Sequence, residues 1–200
     1  MHQLILRLLL LIFTLILPHT VFAELNIVAT IKPLHGLVTN VSGNKNHIKL
    51  LINETSSPHH YQMKPSDIKM LEKADVIFAI DDKFEVFLSN YFSKHQLKAT
   101  MIKVSDSKDL RFLKARNKQD ILEGVYKKHC GCKHGHKDLH FWADIHNAKQ
   151  IVSKIEDTLS TLDPKDTEYY QNNANKTIAR LTSLDKEIES QLSSVNDKKF

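Results

Sequence analysis

The sequence predicts an α/β fold in which a four-stranded, mainly parallel sheet is flanked by helices and followed by a long helix. Between residues 25 and 104, short apolar runs alternate with segments of helical periodicity, the pattern of a parallel sheet covered on both faces. After residue 146 the periodicity stays helical for most of the remaining length. We therefore expect an N-terminal lobe over residues 24–145 and a helical region over residues 146–200.

The first 23 residues have the layout of a secretory signal peptide. Arg7 precedes an apolar run from Leu8 to Leu17, and Pro18 leads to the small-residue exit Val21-Phe22-Ala23. The apolar run is shorter than the about 20 residues that a membrane-spanning helix needs. We expect cleavage after Ala23 and export of a soluble protein to the periplasm.

The composition of the chain excludes two classes of protein. Lys and Arg number 28 against 23 Asp and Glu, and this small surplus is scattered along the sequence. Diffuse positive charge of this kind serves solubility and does not indicate nucleic-acid binding. The two cysteines, Cys130 and Cys132, are too few for a disulfide framework.

Apolar runs and helix-start residues define the elements of the N-terminal lobe. The predicted strands are Asn26–Thr30, His47–Ile52, Ala74–Ile80 and Ala99–Val104. The predicted helices are Pro33–Val41, Pro65–Lys73 and a third in which Phe84, Phe87, Leu88 and Tyr91 share one face. In a sheet built this way, ligands bind at the carboxyl ends of the strands.

Two helices are predicted after Trp142. The first covers His146–Leu162, is capped by Asp144 and ends at Asp163-Pro164. Its apolar face contains Ala148, Ile151, Val152, Ile155 and Leu159. The second is a long polar helix from Lys165 to about Val195, with a thin apolar stripe made of Tyr169, Ile178, Leu181, Leu184, Ile188 and Leu192.

Five of the twelve histidines lie between His129 and His146, together with both cysteines. Imidazole and thiolate are ligands that suit Zn(II) and its soft neighbours. The glycine-broken part of this cluster contains the secondary metal ligands that we predict, His129, Cys130, Cys132, His134 and His136. A solvated polar loop is the alternative interpretation, but this density of ligands favours metal contact.

His140, a further candidate ligand in this region, lies in an apolar setting. Leu139, Phe141 and Trp142 are expected to be buried and to hold the chain on either side of its imidazole, so His140 is predicted to occupy a fixed position.

A second candidate ligand follows the second predicted strand. Pro58 and Pro65 restrict the backbone around His59 and His60, at an end of the sheet where ligands are expected. We predict that His59 is the metal ligand and that His60, a further candidate, caps or stacks. Three other histidines are expected to be packed or on the surface, namely His35, His47 and His95.

The residues of the first motif resemble a known family. Ser57-Pro-His-His-Tyr-Gln-Met-Lys-Pro-Ser-Asp67, followed by Leu71-Glu-Lys-Ala-Asp-Val76, is similar to the signature of the metal-binding proteins that serve zinc and manganese ABC importers. The His-rich loop before Asp138-Leu-His-Phe-Trp142 resembles the zinc branch of that family. The resemblance runs from about Leu25 to the last residue, and it implies that His59 and His140 are metal ligands.

The resemblance also implies a function and a missing part. The implied function is capture of periplasmic zinc, without catalysis, by a monomer that delivers it to the membrane permease of a zinc ABC importer. The family takes a third histidine and a carboxylate from a second α/β lobe that follows the long helix, and we expect this second lobe to be absent here. The chain is therefore expected to hold half of the metal clamp.

Three alternatives remain beside this hypothesis. The chain could bind manganese as a member of the same family, or it could be a zinc buffer or metallochaperone that acts through the His/Cys loop. A zinc hydrolase is the third, and it is disfavoured because the sequence has no HExxH pattern and no obvious base beside His59 or His140.

The loop over residues 116–137 is predicted to be mobile and to carry low-affinity metal contacts, because few apolar residues offset the entropy of ordering it. Its deletion should lower the metal stoichiometry and leave the tightest site nearly unchanged. Calorimetric zinc titration of the deletion variant checks this, and loss of the tightest site would favour the buffer hypothesis instead.

Overall fold

One parallel sheet lies at the centre of the part of the chain that the computed structural model describes, residues 24–53, 56–96, 98–115 and 137–193. Its strands are β1 (Asn26–Ala29), β2 (His47–Leu50), β3 (Val76–Ala79) and β4 (Thr100–Lys103), in the order β2-β1-β3-β4. All three strand pairs are parallel. The predicted fold class is confirmed.

The two central strands, β1 and β3, form the core. Every residue of β3 is buried, and so are the last three residues of β1. Strands of this kind read as continuous apolar runs because helices cover both faces of the sheet. The edge strands β2 and β4 are partly exposed.

Five α-helices surround the sheet within the described ranges. They are α1 (Lys32–Ser42), α2 (Pro65–Glu72), α3 (Val86–Phe92), α4 (Ile145–Leu162) and α5 (Thr167–Leu192). Single 3₁₀ turns cover Pro58–His60, Val104–Asp106, Phe141–Ala143 and Pro164–Asp166. The predicted cap of α4 is confirmed, because the Asp144 carboxylate accepts a hydrogen bond from the N–H of Asn147 at 3.0 Å.

The structure corrects the predicted position of Phe84. This residue does not lie on a helix face, because α3 begins only at Val86 and Phe84 belongs to the turn that follows β3. The N–H groups of Phe84 and Glu85 both donate to the carbonyl of Asp81 at 3.0 Å, which closes the turn. The apolar periodicity of the sequence does not distinguish such a turn from the helix that follows it, because both place apolar residues on the same side.

The structure also corrects the apolar stripe of α5. Tyr170, rather than Tyr169, is fully buried, and Leu184, Ile188 and Leu192 are exposed. Helix α5 therefore packs on the lobe through its first half and as far as Leu181. Ala174 and Thr177 are buried there, and Tyr169, Ile178 and Leu181 of the predicted stripe are partly buried against the core.

A buried polar network holds this first half of α5 in place. The Tyr170 hydroxyl donates to Asp163 and accepts from the side chain of Asn46, both at 2.9 Å. Burial, supported by the hydrogen bond to Asp163, raises the pKa of Tyr170, so the hydroxyl remains a donor. The Lys45 ammonium adds an ion pair with Asp166 at 2.9 Å. The turn between α4 and α5 is thereby joined to the segment that precedes β2.

Within the described ranges, none of the helices combines the length and the apolar character that crossing a bilayer requires.

Gly43, at the end of α1, occupies a conformation that side chains disfavour, with φ 57° and ψ −134°. A Cβ there would also overlap the Tyr169 hydroxyl. The Gly43→Ala variant should therefore lower the free energy of unfolding by about 1–3 kcal/mol, measured by urea denaturation.

Gly36→Ala is the matched control for that variant. Gly36 lies inside α1, and a Cβ there would meet nothing within 4 Å. This substitution should raise the free energy of unfolding by up to about 1 kcal/mol, since alanine favours a helix over glycine. Equal stabilities for the two variants would contradict the role assigned to the Gly43 conformation.

Candidate metal site

His59 is positioned by the segment that leads from β2 to α2. Pro58 begins the 3₁₀ turn that contains His59, and the Tyr61 hydroxyl donates to Asp67 at 2.9 Å. The same Asp67 oxygen accepts from the backbone N–H of Lys64 at 2.7 Å. Burial, then the hydrogen bond to Asp67, raises the pKa of Tyr61 to about 12, so this hydroxyl stays protonated. The segment is thus fixed to the first turn of α2.

His140 is positioned by buried neighbours, as predicted for Leu139 and Phe141, whereas Trp142 is only partly buried. Leu139 and Phe141 are each 5% exposed, while the imidazole between them reaches the surface. The buried Asn147 side chain donates to the carbonyl of Phe141 at 2.9 Å and to that of Arg111 at 2.7 Å. These bonds anchor the His140 segment to α4 and to the chain that approaches from residue 111.

The two predicted ligands meet in space. The ring centroids of His59 and His140 are 5.5 Å apart, although 81 positions of sequence separate the residues. Phe84 packs edge-on against both rings, at centroid distances of 4.9 Å from His59 and 5.6 Å from His140. Trp142 completes the group at 5.2 Å from His140 and 5.0 Å from Phe84. The structure therefore brings the two imidazoles together against an aromatic floor.

These rings line a cleft of about 320 Å³, the two-histidine cleft. Its lining residues are Ile31, Lys32, Pro33, Ile52, Asn53, Ser56, Pro58, His59, Phe84, His140 and Trp142. Ile31 and Ile52 follow the carboxyl ends of β1 and β2, so the cleft lies at the edge of the sheet where the sequence places a ligand.

The buried carboxyl of Glu85 lies next to Phe84 in the chain and stabilises this side of the cleft. Glu85 is 1% exposed and accepts hydrogen bonds from the Thr30 hydroxyl at 2.6 Å and from the N–H groups of Ile80 and Asp81 at 3.0 Å. Burial raises the pKa of Glu85 to about 7, against the opposing effect of these donors. Because Phe84 directly precedes Glu85, the same bonds fix the aromatic floor.

The cleft offers two nitrogen ligands. Zinc is commonly bound by four ligands in a tetrahedral arrangement, so His59 and His140 would leave two positions for other groups. In the described part of the chain, no group of three or more His, Cys, Asp or Glu side chains is arranged to hold a metal.

The other histidines of the described ranges do not line this cleft. His60 and His47 are exposed, and His47 pairs with Glu24 at 2.9 Å. His95 is exposed and stacks on Tyr91 at 4.3 Å, which confirms the surface prediction for His47 and His95. His35 is half-buried in α1, as predicted, and burial followed by the charge of Lys32 lowers its pKa.

Two further placements concern the cluster from residue 129 onward. His146 belongs to the first turn of α4, and its Nε2–H donates to the carbonyl of Asp109 at 2.9 Å. The secondary ligands that we predict lie outside the described residues, namely His129, Cys130, Cys132, His134 and His136.

Three contributors to the cleft were not predicted from the sequence. The Lys32 side chain lines it, and the Asp138 carboxylate lies 2.8 Å from Nδ1 of His140. Glu85 acts through Phe84. Signals for two of these exist in the sequence, because Asp138 stands two positions before a candidate ligand and Glu85 interrupts an apolar run.

Comparison with solved structures identifies the class of protein to which this architecture belongs. Zn(II)-bound AdcA from Streptococcus pneumoniae superposes with a TM-score of 0.71 at 26% identity, over 89% of this chain and 35% of that one. The metal-dependent lipoprotein YcdH from Bacillus subtilis shares the fold, with a TM-score of 0.70 at 24% identity over 88% of this chain and 59% of that one. The fold is that of metal-binding solute-binding proteins.

Sequence comparison identifies the family within this class. Residues 27–200 match the family described as "Zinc-uptake complex component A periplasmic", and the chain belongs to this family. The high-affinity zinc uptake system protein ZnuA of Brucella abortus is 30% identical over 87% of this chain. The chain spans about 60% of the length of that relative. The family resemblance drawn from the sequence motifs is confirmed.

The raised pKa of Glu85 predicts a pH-dependent stability. Because the folded state binds the proton more tightly than the unfolded state, the cost of burying the charged form is absent below pH 4.5, grows as the pH rises to about 7, and is constant above. Glu85→Gln mimics the protonated carboxyl. It should therefore remove this pH-dependent decrease in the free energy of unfolding, which amounts to about 1–3 kcal/mol.

Urea denaturation between these pH values measures the effect as the difference between the wild-type protein and the variant. Glu72→Gln, at an exposed position of α2, is the matched control and should keep the wild-type pH profile. Parallel stability curves for the wild-type protein and Glu85→Gln would show that Glu85 titrates normally.

Proposed function

We propose that this chain captures periplasmic zinc between His59 and His140 and delivers it, as a monomer, to the membrane permease of a zinc ABC importer. The observation that carries the proposal is the 5.5 Å separation of the two imidazole centroids in one cleft. Motifs that are far apart in the sequence converge there, at the carboxyl edge of a parallel sheet where ligands bind. The proposed function is binding and release, with no reaction catalysed.

Zinc fits this pair of ligands better than manganese does. Imidazole nitrogen suits Zn(II), whereas Mn(II) is suited by carboxylate, carbonyl and water oxygens and binds more weakly to a given set of ligands. The names of the relatives point the same way, since they describe high-affinity zinc uptake in Brucella abortus and Zn(II)-bound AdcA in Streptococcus pneumoniae. We therefore propose zinc as the transported ion.

The walls of the cleft support capture of a metal ion by fixed ligands. Phe84 is 2% exposed and contacts both imidazoles, so it restricts the movement of both rings. Ligands that are ordered before the metal arrives lose less entropy when it binds. Two fixed nitrogens give a binding geometry without completing the coordination shell, and this leaves room for further ligands to raise the affinity.

Zinc titration of the chain tests the proposal. His59→Ala and His140→Ala should each weaken the tightest site about tenfold or more, a cost of about 1.4 kcal/mol or more. His95→Ala is the matched control, because His95 is exposed and its ring stacks on Tyr91 away from the cleft. Chelator competition gives the affinity. Fluorescence of Trp142, the one tryptophan of the chain, reports binding beside His140.

A second measurement tests the incomplete coordination. Extension of the chain by the C-terminal part of a longer relative should tighten zinc binding, because the additional ligands would complete a four-coordinate site. If neither histidine substitution changes the affinity of the tightest site, zinc binds elsewhere and the proposal is overturned. Equal affinity of the chain and the extended protein would overturn the two-ligand account.

A further inference from the structure

Asp138 makes two hydrogen bonds to the same histidine through one oxygen. Its Oδ1 atom accepts from the backbone N–H of His140 at 2.9 Å and lies 2.8 Å from Nδ1 of the His140 ring. Asp138 is therefore joined to His140 by two hydrogen bonds, one to the backbone and one to the side chain. The neighbouring backbone is held independently, because the N–H of Asp138 donates to the carbonyl of Leu113 at 2.9 Å.

The chemistry of this contact determines where the ring proton lies. An ionised carboxylate can only accept hydrogen bonds, so Nδ1 of His140 must be the donor. In a neutral imidazole one nitrogen carries the proton and the other keeps a lone pair. A proton on Nδ1 leaves Nε2 as the nitrogen that can bind a metal ion.

We propose that Asp138 is a positioning residue that holds His140 in its Nδ1–H tautomer and thereby makes Nε2 the metal-binding nitrogen. This inference rests on the proposed function, because it gives His140 the role of a ligand. A carboxylate that accepts from the distal N–H of a ligating imidazole also fixes the orientation of the ring and raises its basicity. Asp138 thus acts on the metal through His140, and no direct contact between Asp138 and the ion is required.

Three substitutions separate the ring contact from the backbone contact. Asp138→Asn keeps an oxygen that can accept both hydrogen bonds. Asp138→Ser keeps an acceptor for the backbone N–H of His140 but is shorter and does not reach the ring. Asp138→Leu removes the acceptor of both hydrogen bonds. The side chain at this position is 43% exposed, so the fold should tolerate the substitution. Asp185→Asn, which removes one carboxylate from α5, is the control for the loss of charge.

The first readout is the tautomer of His140 in the metal-free protein. Long-range ¹H–¹⁵N correlation spectra of the histidine rings at about pH 8, above the ordinary histidine range, report which nitrogen carries the proton. We expect the Nδ1–H tautomer in the wild-type protein, in Asp138→Asn and in Asp185→Asn. We expect its loss in Asp138→Ser and Asp138→Leu. A purely structural role of Asp138 would not separate Asn from Ser in this way.

The second readout is zinc affinity by chelator competition. Asp138→Ser and Asp138→Leu should weaken binding about 10- to 100-fold, with Asp138→Asn closer to the wild-type protein. An unchanged tautomer in Asp138→Leu would overturn the proposal. Loss of zinc binding in Asp138→Asn with the tautomer retained would also overturn it, since Asp138 would then be a ligand.

The two proposals fail in different ways. Zinc binding that survives in Asp138→Leu but is weakened in His140→Ala overturns the positioning role and leaves the proposed function intact. Zinc binding that survives in both His140→Ala and His59→Ala overturns the proposed function and the positioning role that rests on it.

Discussion

The buried carboxyl of Glu85 is the interaction on which the geometry of the cleft depends. It joins Thr30, just beyond the end of β1, to Ile80 and Asp81, just beyond the end of β3. These two strands are the centre of the sheet, and their carboxyl ends define the edge where the cleft opens. A single side chain therefore fixes the edge of the sheet and the turn from which Phe84 contacts both imidazoles.

The burial of the Glu85 carboxyl has a cost in the free energy of folding. A carboxylate in an apolar interior is unfavourable unless it is well hydrogen-bonded, and the pKa of about 7 indicates that the donors around Glu85 offset only part of the desolvation. An apolar residue could fill the same volume, but it could not accept hydrogen bonds from three groups on the segments that follow two different strands. The carboxyl thus makes the position of Phe84 specific where apolar packing alone would leave it less defined.

The two imidazoles of the proposed site have different supports. His59 follows a proline in a 3₁₀ turn that Tyr61 and Asp67 fix to α2, whereas His140 stands at the surface between two buried residues. Both are ordered by groups other than the ion, so binding requires little rearrangement of this lobe. Since two nitrogens would fill only half of a tetrahedral shell, the affinity of the proposed site would depend on whatever supplies the remaining ligands.

The sequence by itself determined the fold class and the order of the elements, and it offered His59 and His140 as candidate ligands. Apolar runs such as that of β3 and helix-start residues such as Pro65 and Asp144 are local signals, and local signals can be read in order along the chain. The pairing of His59 with His140 was available only through the family resemblance, because neither residue carries information about its distance from the other.

Only the tertiary structure decided how the cleft is built. Phe84 was predicted on a helix face because its apolar spacing matched that of α3. The helix begins only at Val86, and the bonds from Glu85 to the residues that follow β1 and β3 hold Phe84 in the preceding turn. The stripe of α5 was predicted at Tyr169, but the polar network of Asp163 and Asn46 selected Tyr170 as the buried residue. In each case one of the deciding contacts joins residues far apart in the sequence, Thr30 with Glu85 and Asn46 with Tyr170. Periodicity, which compares only neighbouring positions, does not contain such a contact.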